Sequence, residues 1–319
     1  MTKISKKQIF DGILGFAIGD ALGVPVEFMS RSDLDMNPVT DMSAGGEHGQ
    51  VAGTWSDDTS LTLATVDSLT KAGVDYKDLM ERFSKWLWEG DYSARGEAFD
   101  VGGTTKTAIF NFNKGAKALE SGEISDWTSG NGSLMRILPI VLYLHAQGKG
   151  KLDRESAEII HNYSKCTHAN PRCLIACGIY AEVVFNLLKG YPLPLAIRSG
   201  IADALAFYNQ DPFFARYLYE FANLVHIFEL RREQIKSTGY VVDTLYAVLW
   251  CLANNHSYEE VVLSAVNLGD DTDTIAAIAG GAAGLVYGVE AMPADWLHTL
   301  AKGDWIKQLC TDFYSSLSE

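Results

Sequence analysis

Over residues 7–23 the apolar positions Ile9, Phe10, Ile13, Leu14, Phe16 and Ile18 recur at helical spacing, which predicts a helix. Gly12, Gly15, Gly19 and Gly23 fall three or four apart, on one face of it. Each interior glycine costs a helix about 0.5–1 kcal/mol relative to alanine. A ridge of them therefore needs a compensating contact, and close approach of another backbone supplies one. The counterpart is Ala276, Ala277, Gly280, Gly281, Gly284 and Gly288, in a helix predicted over 272–288. Packing these two small-residue helices together at the centre carries Asp20 and Glu27 towards the acidic segment that opens the second.

Helical periodicity also covers 59–71, 76–89, 106–120, 133–146, 153–166, 171–189, 194–208, 212–234, 239–254, 258–267 and 293–315. Period-two alternation hardly occurs, so strands are few. Residues 28–56, with Gly45, Gly46, Gly49 and Gly53, lose periodicity, as do 90–105 and the Gly/Ser/Asn loop 129–136. A loop as long as the first is functional or mobile. No fixed-period repeat, low-complexity linker or sharp boundary interrupts the chain, and residues 1–319 read as one all-α domain.

Composition narrows the function. With 319 residues and 47% hydrophobic content the chain can bury a large core. Its 26 basic against 40 acidic residues give a formal charge of −14, which excludes the basic footprint a nucleic-acid-binding surface needs. Five cysteines, an odd count in a chain this long, do not form a disulfide framework and fit a reducing, cytoplasmic setting. Cys173 and Cys177 read as core residues. No signal peptide is visible, since Asp11 and Asp20 interrupt the run after the N-terminal lysines, and no apolar stretch approaches the roughly 20 residues of a membrane span.

The chemistry gathers at two helix starts. In Asn267-Leu268-Gly269-Asp270-Asp271-Thr272-Asp273-Thr274, three carboxylates and two hydroxyls fall within five residues before an apolar run. A helix N-terminus stabilises one acid by about 0.3–1 kcal/mol, too little to hold three together against their repulsion. A hard divalent cation resolves the conflict, because Mg²⁺ and Mn²⁺ prefer carboxylate, hydroxyl and water oxygens. Trp55-Ser56-Asp57-Asp58-Thr59 repeats the pattern roughly two hundred residues earlier. If the two meet, they form a dinuclear oxygen-ligand site. Asp20 and Glu27 bracket the end of the first helix; each alone reads as a structural acceptor, and beside metals Glu27 is a candidate to orient or deprotonate water. Asp100, before Gly102-Gly103, has the same two readings. Gly130-Asn131-Gly132-Ser133 is either an ordinary turn or a phosphate cradle at a helix start. His168, between two predicted helices, is open to a capping or a ligand role. No Ser-His-Asp or Cys-His signature, Walker loop or dinucleotide fingerprint is present.

In this order, Gly15-Phe16-Ala17-Ile18-Gly19-Asp20-Ala21-Leu22-Gly23 with Glu27, Trp55-Ser56-Asp57-Asp58-Thr59, Phe99-Asp100-Val101-Gly102, Gly130-Asn131-Gly132-Ser133-Leu134-Met135-Arg136, Thr167-His168 and Gly269-Asp270-Asp271-Thr272-Asp273-Thr274 resemble the blocks of the ADP-ribosylglycohydrolase family, which includes the dinitrogenase reductase-activating glycohydrolases. The resemblance implies an all-α, single-domain orthogonal bundle with a central cleft holding two Mg²⁺ or Mn²⁺ ions. Ser56, Asp57 and Asp58 would ligate from one side and Asp271, Asp273 and Thr274 from the other. Asp100 or Glu27 would act as general base or steer the ring. Asp20, Gly102, Gly130, Asn131, Gly132, Ser133 and His168 would form the substrate side, with 130–133 towards the pyrophosphate. Ser56 stands where the family often has Thr, and Gly102-Gly103 where Gly-Asn is more usual. The reaction implied is hydrolysis of the bond between C1″ of an ADP-ribosyl group and a protein side chain, arginine first, with ADP-ribosylated protein and ADP-ribose as partners. Separately, the chain is expected to be a monomer. Serine-linked or O-acyl-ADP-ribose substrates, a dinuclear-metal nucleotide phosphohydrolase and a non-catalytic ADP-ribose binder are the alternatives.

Overall fold

The computed structural model describes residues 4–317; the ends of the expected 1–319 domain, residues 1–3 and 318–319, lie outside the described residues. In chain order the helices are α1 (Lys6–Gly23), α2 (Arg31–Met36), α3 (Asp57–Ala72), α4 (Tyr76–Glu89), α5 (Gly103–Asn113), α6 (Leu138–Ala146), α7 (Arg154–Lys165), α8 (Pro171–Leu188), α9 (Leu193–Tyr208), α10 (Pro212–Ala215), α11 (Val241–Asn254), α12 (Tyr258–Val266), α13 (Thr272–Tyr287), α14 (Ala294–Thr299) and α15 (Gly303–Ser316). Among the described residues the only β features are three isolated bridges. The fold is all-α.

The glycine ridge does what its spacing predicts. α1 and α13 pack along their length in the core, with most of both helices buried. A methyl group added at Gly19 would lie 2.1 Å from the Ala276 carbonyl oxygen, and one at Gly15 would lie 2.5 Å from that of Gly280. In return, a methyl on Gly284 would lie 2.0 Å from the carbonyl oxygen of Asp11. Backbone contact this close needs glycine on both helices. A polar tie locks the pair, the Thr272 hydroxyl donating to the Gly23 carbonyl at 2.8 Å, and from α12 the Tyr258 hydroxyl donates to the Gly15 carbonyl at 2.6 Å. The end of α1 and the start of α13 are thereby fixed side by side.

Several sequence expectations change: the aperiodic segment 28–56 holds the short helix α2, and the helix expected over 133–146 begins at Leu138 after the 3₁₀ turn Leu134–Arg136. The helix expected over 212–234 is the single turn α10 followed by 3₁₀ turns, Leu218–Glu220, Ala222–His226 and Arg232–Gln234. Its buried residues Phe221, Leu224 and Ile227 recur every third position, the period of a 3₁₀ helix. The helix expected over 293–315 breaks between α14 and α15. There the Ala301 N–H donates to the Gly53 carbonyl, the Trp55 indole to the Ala301 carbonyl, and Lys302 takes a left-handed φ of 53°. The helix expected over 106–120 starts earlier, at Gly103, and ends at Asn113 before Gly115 at φ 102°. Finally, Lys6–Val26 and Pro171–Leu188 are each long and apolar enough, by length and composition, to cross a membrane, and in the structure 94% of each apolar window is buried inside the bundle.

Candidate active site

Three helices begin around one cavity of about 360 Å³: α3, α5 and α13. Ser56 caps α3; its Oγ accepts from the Asp58 N–H at 3.3 Å and donates to Asp58 Oδ2 at 3.2 Å. From α1, Asp20 reaches the same helix start and accepts from the Ser56 N–H (2.9 Å), the Thr59 N–H (2.9 Å) and the Thr59 hydroxyl (2.6 Å). These bonds explain the acid in a glycine-rich helix. Asp20 is fully buried, lies behind the cavity and not on its wall, and braces α3.

The two acidic segments meet. The Thr274 hydroxyl on α13 donates to Asp58 Oδ2 at 3.2 Å, across 216 residues of sequence. Asn131 Nδ2 donates to Asp271 Oδ2 at 2.6 Å, and the Asp271 N–H donates to the Ser237 carbonyl at 3.0 Å. Burial, and then neighbouring carboxylates, push Asp57, Asp58 and Asp273 well above the ordinary carboxylate range. Burial lifts Asp271 to about 6 against its bonds from Thr274 and Asn131, and lifts Asp20 to about 6 against its three donors. Glu27 is pushed to about 9 by burial and then by the charges of Asp100, Asp271 and Asp20.

Such crowding tests the fit of a cation. Asp58 Oδ1 and Asp273 Oδ2 are buried acceptors with no hydrogen-bond donor, an arrangement that costs about 1–3 kcal/mol per group, more when charged. Glu27, Asp271 and Asp273 each offer an oxygen within 4.8 Å of the others. Among the described residues the only basic side chain within ion-pair distance of this cluster is His48. Buried oxygens that lack donors and repel one another suit a hard divalent ion. The donor set fits metal.

Glu27 and Asp100 stand together at the cavity wall, joined by a residue that sequence reasoning missed. His48 Nε2 lies 2.5 Å from Glu27 Oε2 and 3.8 Å from Asp100 Oδ1. Its ring tilts against Phe99 and Phe28, with centroids 5.2 and 6.1 Å away. A turn closed by the Gly45–Gln50 bridge delivers it, pressed so hard on the turn before Glu27 that a methyl on Gly46 would lie 2.2 Å from the Pro25 carbonyl oxygen. The glycines at 45, 46 and 49 signal the turn, but nothing in the sequence ties His48 to Glu27.

Next to the acids the lining changes character. α5 starts at Gly103 behind Gly102, with no side-chain cap and no acid in its first turn, and Gly102, Gly103, Thr104 and Thr105 line the wall. Gly130, Asn131 and Gly132 line it beside them. A methyl on Gly132 would lie 2.7 Å from His168 Cε1, so glycine there lets the imidazole reach the wall. His168 takes a 2.8 Å hydrogen bond with Thr167 Oγ1 through Nδ1 and is held neutral, lowered to about 3 by burial and then by Arg136. Ser133 does not face the cavity: it is buried and accepts from the Ser164 hydroxyl at 2.8 Å.

Among the described residues, five that are not glycine have positive φ, and three of them, Phe28 (66°), Asp100 (53°) and Asp270 (65°), border this cavity. Each such residue costs of order 1–3 kcal/mol, and such strain concentrates where a site needs it. Asp270, grouped in the sequence with the acids of α13, is exposed at the lip, apart from the buried cluster.

With this geometry in hand, the comparisons with known proteins agree. The family model described as ADP-ribosylglycohydrolase matches residues 1–319. The chain is 32% identical over 303 residues to ADP-ribosylarginine hydrolase Tri1 of Pseudomonas putida, covering 95% of this chain and 76% of that one. It is 29% identical over 290 residues to the ADP-ribosyl-(dinitrogen reductase) glycohydrolase of Rhodospirillum rubrum, covering 90% and 88%. A solved structure titled ADP-ribosylglycohydrolase-related protein complex superposes with a TM-score of 0.80 at 28% identity and 98% coverage of both chains.

Proposed function

The chain belongs to the ADP-ribosylglycohydrolase family, and from that premise we propose that it hydrolyses the N-glycosidic bond between ADP-ribose and an arginine side chain of a modified protein. The observation that carries this reading is the division of one cavity into a carboxylate-rich base and an N–H-rich wall, the two ends that an ADP-ribosyl group with a ribose diol and a pyrophosphate calls for. The relative of Pseudomonas putida named for ADP-ribosylarginine supports arginine as the acceptor.

In this reading Ser56, Asp57 and Asp58 hold divalent metal from α3, and Asp271, Asp273 and Thr274 hold it from α13, as two Mg²⁺ or Mn²⁺ ions. Bound there, the ions supply Lewis-acid charge that orients ribose hydroxyls and water. The residues of the chain do the rest. The backbone N–H groups at the start of α5, with Gly130 and Gly132 beside them, take the pyrophosphate, since an uncapped helix start favours anions. The Asn131 N–H is held by the Gly239 carbonyl. His168, neutral and buried, closes that wall without adding charge. Asp20 and Asn131 keep the acids of α3 and α13 in place. As water oxygen bonds to C1″, the C1″–N bond breaks, and the guanidine leaves with the bonding pair and takes up a proton. The water proton passes to Asp100 of the Glu27–Asp100 pair, because Glu27, pushed to about 9, keeps its own proton near neutral pH and donates it towards Asp100. The same reading takes residues 1–319 as one domain working as a monomer in the cytoplasm, in keeping with five free, buried cysteines.

The test is hydrolysis of an arginine-ADP-ribosylated protein with Mg²⁺, with Mn²⁺ and with EDTA, beside a serine-ADP-ribosylated peptide. Release of free ADP-ribose from the arginine substrate alone, stopped by EDTA, is the expected result. Release from the serine peptide alone overturns the acceptor. Binding of ADP-ribose without cleavage of either substrate overturns the enzyme.

A further inference from the structure

The lip of the cavity carries two residues that the reaction above does not use, Phe28 and Asp270. They are built as a pair. The Phe28 N–H donates to the Asp270 carbonyl at 2.8 Å, and the Asp270 N–H donates to the Met29 carbonyl at 2.8 Å. Both hold left-handed φ angles, 66° and 65°. A bulky residue rarely adopts that conformation, and here it leaves Phe28 62% exposed against the cavity wall. Two bonded, strained residues thus hold an aromatic face and a carboxylate rigidly in water. Apart from the tilted contact of the Phe28 ring with His48, neither side chain has a ring-contact or hydrogen-bond partner among the described residues.

The charges around them select the ligand. Glu27 is the next residue, and Asp100 and Asp271 line the same cavity, so an anion is repelled from this end. Arg31 feels the charge of Asp270 but spends its N–H groups on the carbonyls of Leu268, Arg232 and Ile235. The Asp270 carboxylate stays open to a cation. A planar guanidinium matches both elements, because it stacks on aromatic faces and pairs in a fork with carboxylates.

Resting on the hydrolase reading, we propose that Phe28 and Asp270 form an acceptor clamp that grips the guanidinium of the modified arginine, and that this lip makes the site select arginine over hydroxyl acceptors. The acceptor end is then the carboxylate-aromatic lip, distinct from the N–H wall that takes the pyrophosphate.

Two variants test it. Asp270→Asn removes the charge and keeps the shape. Phe28→Gly removes the ring and relieves the strained φ, so it should raise the melting temperature while losing function, an effect that misfolding cannot imitate. On arginine-ADP-ribosylated protein, kcat/KM should fall about tenfold for Asp270→Asn and about threefold or more for Phe28→Gly, mostly through KM. ADP-ribose affinity by calorimetry with Mg²⁺ should stay within about twofold of the parent. In a second arm, agmatine is titrated into the Mg²⁺- and ADP-ribose-bound protein, with binding expected in the parent and about tenfold weaker in Asp270→Asn. This arm needs no turnover, so it tests the clamp even if the hydrolase reading fails. If both variants cleave the arginine substrate like the parent, or agmatine binds parent and Asp270→Asn equally or not at all, the clamp is wrong. Equal cleavage would at the same time leave the hydrolase reading standing.

Discussion

Of the three helices that begin at the cavity, two start with acids and one does not. α3 opens with Ser56, Asp57 and Asp58, and α13 with Asp271 and Asp273. α5 opens with Gly102, Gly103 and Thr104 and has no acid in its first turn. The backbone is the same in each case: N–H groups without intrahelical partners and a positive helix end. Where side chains overfill that end with carboxylates, the surplus negative charge calls for cations. Where glycine leaves it bare, the N–H groups stay available to an anion. One backbone feature, decorated two ways, gives a single cavity both polarities.

The sharpest break in this contrast is Asp271→Asn, which keeps the side-chain shape and removes the charge. Turnover of arginine-ADP-ribosylated protein should fall by about 10³-fold, as when a site loses a group aimed at the reacting centre, while the circular dichroism spectrum is unchanged. A loss below tenfold would show that α13 does not lead the chemistry.

Next comes the support beneath the acid-led starts. Gly19→Ala would put a methyl 2.1 Å from the Ala276 carbonyl oxygen, and α1 would have to separate from α13. Stability should drop by about 3 kcal/mol or more, read as a lower denaturant midpoint. A neutral result would mean that the ridge is not what fixes the two segments.

Acid crowding also makes a prediction about pH. Folding raises Glu27 from 4.5 to about 9, and Asp20 and Asp271 from 3.8 to about 6. The folded protein thus holds protons that the unfolded chain releases, so the stability these three carboxyls contribute is fully present below about pH 4 and is lost as pH rises through 6 and towards 9. Metal-free protein should melt several degrees lower at pH 8 than at pH 5, and millimolar Mg²⁺ should reverse the loss at pH 8. Equal melting temperatures at both values, unmoved by Mg²⁺, would contradict the reading of the cluster.

The smallest effect sharpens the other side. A methyl at Gly103 meets nothing within 4 Å, so Gly103→Asp should fold normally and turn the bare helix start into an acid-led one. ADP-ribose should bind about tenfold more weakly, with melting temperature unchanged, in a calorimetric titration. Unchanged affinity would place the pyrophosphate elsewhere.

The sequence makes the acid-led starts easy to see and the bare one hard. Asp57-Asp58 and Asp271-Thr272-Asp273 are dense local signals, and the glycine spacing at 12, 15, 19 and 23 announces the helix contact that brings them together. Gly102-Gly103 carries no charge pattern, and its role emerges only once α5 is seen to begin there. Asp20 and Ser133 fit the family blocks, yet distinguishing a buried brace from a wall residue needs the tertiary contacts with Thr59 and Ser164. His48 and Phe28 were invisible for another reason: one is delivered by a glycine turn, the other by a strained φ, and neither leaves a periodic trace. The irregular 212–234 segment is partly legible afterwards, because Phe221, Leu224 and Ile227 repeat every three residues and an α-helix would not.

The bond between Thr274 and Asp58 joins positions 216 residues apart, and α1 is complete only when α13 lies against it. A ribosome adding about 5–20 residues per second takes roughly 10–40 s to travel between them. During that interval the emerging chain holds half a cavity, with the acids of α3 and no counterpart. Contacts of such long range form late and slowly, so every earlier stage of synthesis, and every product of premature termination before α13, lacks the assembled site.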